Sequence, residues 1–178
     1  MDDFLPPALP VLQMSGQSCL PQSALTGPPS GAGAVARGIA RLFRRNQIWV
    51  ASEVALPNGR RADLMGIDAR GQIVIVEIKV ARADLLGDAK WGEYLDHCDR
   101  FYWGLCPELD AGLVASEAFL PDMTGLIIAD AYDAEIVRPA ATRPLPAARR
   151  KSETQRLAAL ALRRLNLMLD PPPPDEVY

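Results

Sequence analysis

The stretch from Ala62 to Lys79, ADLMGIDARGQIVIVEIK, constrains the chain more than any other. It reads as two short apolar strands around a turn at Asp68-Ala69-Arg70-Gly71, where aspartate and glycine supply the turn chemistry. A turn centred near residue 70 pairs the strands by reflection and sets Asp63 opposite Glu77. Directly opposed residues on one face of an antiparallel pair lie about 5 Å apart, so two carboxylates meet at the open end of the hairpin. Strand side chains alternate with period two, which puts Asp63, Glu77 and Lys79 on one face and Val76, Ile78 and Val80 on the other.

Charge is costly at that position. The run Ile73-Val74-Ile75-Val76 is apolar on both faces, as in a strand covered on both sides. A carboxylate pair at its end needs compensation by hydrogen bonds or a cation. Mg²⁺ or Mn²⁺ is one such cation, since Mg²⁺ takes one or two carboxylates and completes its octahedron with water and phosphate oxygens. A nearby lysine then orients an attacking water or stabilises charge growing on phosphate. The alternative is a hairpin whose end carries solvated charges and a salt bridge.

The 178 residues suit one domain with a real core. The formal charge of −3 excludes a general polyanion binder, but it is unevenly spread. Asp2 and Asp3 near the start and Asp170, Asp175 and Glu176 near the end stand in stretches without Lys or Arg. Setting those five acids aside leaves 19 basic and 17 acidic residues, so local basic patches are available but no strongly basic footprint is. Cys19, Cys98 and Cys106 have no metal or disulfide spacing and read as free thiols in a reducing compartment. The start lacks the basic region of a signal peptide, and no long apolar span occurs. A cytoplasmic protein with no membrane segment is expected.

Residues 1–32, rich in Pro, Gly, Ser and Gln, read as a disordered leader. From Ala34 to Arg45, Val35, Ile39, Leu42 and Phe43 recur at helical spacing. The arginines around them, Arg37 and Arg41 among them, either contact a phosphate backbone or form a solvated face. Gln47 to Leu56 is a strand ending at the turn Pro57-Asn58-Gly59. On it, Glu53 is either a third acidic ligand beside Asp63 or an outward residue paired with Arg60 or Arg61. Ala83 to Cys98 reads as a helix interrupted near Gly87, with Trp91 and Tyr94 as core aromatics and Lys90 placed for a phosphate. His97 is the only histidine and is structural; a zinc site or a serine triad has no support.

A strand at 101–105 and a hairpin of 124–129 with 134–137 follow. A Pro- and Ala-rich linker then leads to a basic amphipathic helix from Arg149 to Leu169. Its apolar positions, Leu157, Leu160, Leu165 and Met168, are expected to pack on the domain. The reading thus divides the chain into the leader, a domain over 33–140, linker and helix over 141–169, and a disordered tail over 170–178.

Helix, three antiparallel strands, helix and strand, carrying Asp63, Glu77-Ile78-Lys79 and Glu53, resembles the PD-(D/E)xK nuclease superfamily. Ala62 stands where that motif has proline. The segments SEVALPNGRRADLMGID, IVIVEIK, DAKWGEYLDHCDRFYWG, GLIIADAYDAEIVR and AARRK resemble the MmcB-type family of bacterial DNA repair proteins, over about 23 to 169.

The resemblance implies an α/β, restriction-endonuclease-like αβββαβ core: a mixed sheet flanked by helices, with a C-terminal helix added. It implies a DNA repair role, with Asp63 and Glu77 as ligands of Mg²⁺ or Mn²⁺ and Lys79 as catalytic lysine. Glu53 is a further ligand and catalytic candidate, although many members carry the extra acid on the first helix. Arg60, Arg61, Lys90, Arg37 and Arg41 are the expected DNA contacts. Two functions follow: a metal-dependent deoxyribonuclease, or a catalytically silent nuclease fold that binds DNA or other repair proteins.

Overall fold

The computed structural model describes residues 31–171, so the leader and tail expected from the sequence lie almost wholly outside the described residues. Helix α1 (Ala32–Arg45) leads into three strands, β1 (Ile48–Ala55), β2 (Arg61–Asp68) and β3 (Ile73–Lys79). A short helix α2 (Arg82–Gly87) and a 3₁₀ helix (Trp91–His97) then precede β4 (Arg100–Leu105). Two 3₁₀ turns, β5 (Gly125–Ala129), β6 (Ala134–Arg138) and the long helix α3 (Ala147–Leu169) complete the order.

The six strands form one mixed sheet in sequence order. β1, β2 and β3 pair antiparallel, β3, β4 and β5 pair parallel, and β6 returns antiparallel to β5. β3 is buried along its whole length, as its unbroken apolar run requires.

Each face of the sheet has its own cover. Val35, Ile39 and Phe43 of α1 pack on Val74, Val76, Ile78, Tyr102 and Ile127. Gly38 lets α1 approach the β5–β6 turn, because a Cβ there would stand 2.3 Å from the Asp130 carbonyl oxygen. On the opposite face Ile73, Ile75, Phe101 and Trp103 meet Trp91, Tyr94 and Leu157. The Trp103 ring stands edge-on to Trp91, Phe101 and Phe119 at 5.1 to 5.4 Å, a favoured aromatic geometry.

Two sequence expectations need correction. The second half of the expected 83–98 helix is not α-helical: α2 stops at Gly87, and Trp91–His97 is 3₁₀. At three residues per turn, Trp91, Tyr94 and His97 lie above one another and all point inward, buried. The last helix also packs less than expected. Glu153 and Leu157 are buried and Leu160 is half-buried, whereas Leu165 and Met168 are exposed because α3 runs past the edge of the sheet.

The start of α3 is fixed by buried polar bonds. Asp99 accepts from the backbone N–H groups of Ile73 and Leu145 and from the Arg150 guanidinium. His97 Nδ1 lies 2.9 Å from Glu153 Oε1, and Arg156 Nε donates to Glu153 Oε2 at 3.0 Å. His97 is therefore a structural residue, as expected.

Candidate functional site

The β2–β3 turn sets the register. Asp68 Oδ1 accepts from the N–H groups of Arg70 and Gln72, and Gly71 takes a φ of 76°, which suits glycine best. The pairs Leu64↔Val76, Met65↔Ile75, Gly66↔Val74 and Ile67↔Ile73 all reflect about residue 70. Continuing them brings Asp63 across from Glu77. Here the ladder gives way to a side-chain bond, the Ile78 N–H donating to Asp63 Oδ2 at 2.7 Å.

On the other side of β2, Ser52 pairs with Leu64 and Val54 with Ala62, leaving Glu53 and Asp63 between them without pairing. Glu53 has a φ of 53°, in the left-handed region. The alternation of faces slips there in both strands: Val54 and Ala62 join the cluster that contains Met65, while Leu64 lies in the other. Such irregularities re-aim side chains at the ends of sheets.

Glu77 and Lys79 sit at the carboxyl end of β3, only 6% and 9% exposed. Lys79 Nζ donates to Glu77 Oε1 at 3.2 Å and to Asp88 Oδ2 at 2.8 Å. Asp88, in the break between α2 and the 3₁₀ helix, has no counterpart in the sequence reading. The signal available was the interruption at Gly87-Asp88, which turns a would-be helical aspartate back onto β3. Tyr94 closes the site from above, its hydroxyl donating to the Arg61 carbonyl at 3.1 Å. Glu77 Oε2 is buried and meets no donor at hydrogen-bonding geometry among the described residues, although the Tyr94 hydroxyl, directed to Arg61, is a near neighbour of the carboxylate.

The electrostatics follow from this crowding. Burial, and then the charge of Asp63, push the Glu77 carboxyl up to about 7, despite the pull of Lys79. Burial also raises Asp63, with the Ile78 N–H and Lys79 opposing. Burial acts to lower Lys79, but its bonds to Asp88 and Glu77 outweigh it and the lysine is raised. Tyr94 is raised, first by burial and then by Glu77 and Asp88, so its proton stays in place.

The remaining residues singled out in the sequence are dispersed. Glu53 is half exposed and its carboxylate is 2.6 Å from Arg61 Nε. Arg60 Nε donates to Glu93 at 2.9 Å. Arg41 Nη1 donates to the carbonyls of Ala131 and Tyr132, tying α1 to the β5–β6 turn. Arg37 is half-buried on α1, and Lys90 is exposed just before the 3₁₀ helix.

The donor set at β3 fits a hard divalent cation. It is all oxygen, it carries a buried carboxylate oxygen with nothing to bind, and its acids hold protons more tightly than usual. Among the described residues no three acid, histidine or cysteine side chains gather as a metal site. With Asp88 engaged by Lys79, Asp63 and Glu77 are the carboxylates left for a cation, a number that suits Mg²⁺ with water and phosphate oxygens.

The fold and site define a mixed α/β protein with Asp63, Glu77 and Asp88 gathered around Lys79 at the end of its central strand. Comparison places it further. The model of the DNA repair protein MmcB-like family matches residues 21–172, and the chain belongs to that family. It is similar to the solved structure of the SPO1766 protein of unknown function from Silicibacter pomeroyi. The two share 43% identity over 80% of this chain and 94% of that one, with a TM-score of 0.73. No curated protein matches. No helix among the described residues is long and apolar enough to cross a membrane.

Proposed function

We propose that this member of a DNA repair family is a metal-dependent DNA phosphodiesterase of the PD-(D/E)xK kind. One observation carries the reading: Glu77 is buried beside Asp63 and Lys79 with one carboxylate oxygen unpartnered. A structural acid at that depth normally has a partner on each oxygen.

Asp63 and Glu77 would hold Mg²⁺ or Mn²⁺, which when bound supplies Lewis-acid activation of water and neutralises the scissile phosphate. Asp63 is aimed by the Ile78 N–H, which holds its carboxylate toward Glu77. Glu77, close enough for the charge of Asp63 to raise its pKa, would add its unpartnered oxygen. Lys79, kept charged by Glu77 and Asp88, holds a proton-donating ammonium where negative charge develops on the phosphate. Lys79 is only 9% exposed, and this partial exclusion of water strengthens the field of its ammonium. Lys90, exposed just before the 3₁₀ helix, would bind a flanking phosphate, which positions DNA without reading its sequence.

A non-catalytic reading also has an observation in its favour. Arg60 and Arg61 are both spent on acids, Glu93 and Glu53, and Lys79 is held by two carboxylates at once. In that reading the same cluster is a structural ion pair, and the protein serves repair by binding DNA or another repair protein.

The deciding experiment is cleavage of a panel of labelled DNAs by purified protein with Mg²⁺ or Mn²⁺, beside Lys79→Ala. The nuclease reading expects cutting that falls by at least about a hundredfold in the variant, the scale of a lost electrostatic stabiliser. Equal cutting by both proteins sinks the mechanism. Silence of both, together with no Mn²⁺ binding by calorimetry, leaves the non-catalytic reading in place.

A further inference from the structure

Lys79 has more acid around it than an ion pair needs. Its ammonium lies 3.2 Å from Glu77 Oε1 and 2.8 Å from Asp88 Oδ2. The Asp88 bond is the shorter of the two, as strong charge-assisted hydrogen bonds are, and the Asp88 side chain is 14% exposed. Lys79 is the one hydrogen-bond partner of the Asp88 carboxylate among the described residues. The contact exists because α2 ends at Gly87 and Asp88 forms its C-cap.

The second acid is unfavourable for Glu77 while no cation is bound. Asp88 lies close enough for its charge to raise the Glu77 pKa further. With all four groups ionised, the three acids Asp63, Glu77 and Asp88 against the one cation of Lys79 leave two negative charges, the complement of one divalent ion. The Lys79 ammonium, one hydrogen bond from Glu77, is repelled by a cation on that carboxylate, and the partial exclusion of water strengthens the repulsion. Glu77 then serves the cation, and Asp88 is the acceptor left to the lysine.

We propose that Asp88 is a positioning residue: it takes over the Lys79 ammonium when Glu77 engages the cation, and so keeps that ammonium at the site in the metal-loaded protein. This role rests on the metal-dependent reading of the site.

Lysine ¹⁵Nζ NMR of the full chain, titrated with Mg²⁺, tests it. Lys79, Lys90 and Lys151 are the only lysines. Lys90 and Lys151 are exposed, whereas Lys79 is buried and doubly hydrogen-bonded, so its ammonium protons exchange most slowly. In wild type the Lys79 signal should shift as Mg²⁺ is added and persist at saturation. In Asp88→Asn it should be present without Mg²⁺, held by Glu77, and be lost at saturation. Exchange there should be faster by at least about tenfold, because a hydrogen bond to a charged group is gone. Asp88→Ser should behave in the same way, and Asp88→Glu should retain the signal. Calorimetry should show Mg²⁺ still bound by all three variants, because Asp63 and Glu77 are intact. A Lys79 signal that survives Mg²⁺ in Asp88→Asn and Asp88→Ser as in wild type overturns the proposal. So does loss of Mg²⁺ binding in those variants, which would make Asp88 a ligand, or loss of the signal from Mg²⁺-saturated wild type. Wild type with no response to Mg²⁺ sinks the metal-dependent reading and the role of Asp88 with it, a failure visible before any variant is compared.

Discussion

Two buried carboxylates, Glu77 at the end of β3 and Asp99 at the start of β4, are alike in depth and opposite in treatment. Asp99 is 1% exposed and Glu77 is 6% exposed. Asp99 has both oxygens engaged, by the N–H groups of Ile73 and Leu145 and by Arg150. Burial works to raise its pKa, yet the Arg150 bond and the two backbone donors hold it below the usual carboxylate range. Glu77 has one oxygen on Lys79, none on the other, and a second acid as neighbour; its pKa rises to about 7. Depth alone therefore says little about a buried acid. Asp99 is a rivet between strand, linker and α3, whereas Glu77 keeps an unpartnered oxygen, which on the proposed reading a cation would engage.

The comparison breaks most sharply at Asp99. Asp99→Ala leaves two backbone donors and Arg150 without their acceptor, and should destabilise the fold by roughly 4 kcal/mol. Urea unfolding is the check, and a loss below about 1 kcal/mol would show that the rivet is replaceable. Because the folded-state pKa of Asp99 is depressed, its contribution is full above the ordinary aspartate range and fades as pH falls through the lower folded value.

Glu77→Gln should act in the other direction. In wild type the folded pKa of about 7 exceeds the unfolded value near 4.5. Between those values the folded protein binds the extra proton, so stability falls as pH rises, and the penalty is complete above pH 7. Without added metal, the glutamine variant should therefore gain on wild type from pH 4.5 to 7, by an amount on the order of 3 kcal/mol. Parallel stability curves for the two proteins would mean that Glu77 titrates like a surface acid. The same variant should lose Mn²⁺ binding in calorimetry if the carboxylate is a ligand.

Much of this was legible in the sequence, for reasons that can be named. Reflection about the Asp68–Gly71 turn predicted the register that runs to Leu64↔Val76, because hairpin register follows from turn chemistry, and Asp63 then lies near enough to raise the Glu77 pKa. The two-sided apolar run predicted a buried β3, and its alternation put Glu77 and Lys79 on the opposite face from Val76 and Ile78. Partners far apart in the chain were not readable. Asp88 meets Lys79 only because α2 ends after six residues, and no local pattern distinguishes that from a helix with one weak turn. The 3₁₀ spacing of Trp91, Tyr94 and His97 was visible, yet a period of three over seven residues also fits one α-helical face. Arg41 and Arg60 illustrate the same gap: a basic residue's availability depends on which acceptors the fold brings to it.

Glu53 offers the smallest effect and the finest test of the contrast between engaged and waiting acids. Its ion pair with Arg61 is exposed, and such pairs contribute roughly 0.5 kcal/mol or less. Its left-handed backbone, by contrast, is strained for a glutamate and relaxed for a glycine. Glu53→Gly should therefore be neutral or stabilising by up to about 1 kcal/mol, despite the lost ion pair. Its effect on function separates two roles that the stability measurement cannot. If Glu53 swings from Arg61 to the cation when DNA binds, the glycine variant will keep its fold and lose cleavage, and Mn²⁺ affinity will drop with it. If Glu53 only holds Arg61 at the mouth of the site, metal affinity will stay at the wild-type value. Any change will then appear in DNA affinity at low salt and vanish as salt rises, as expected of a phosphate contact from a released arginine.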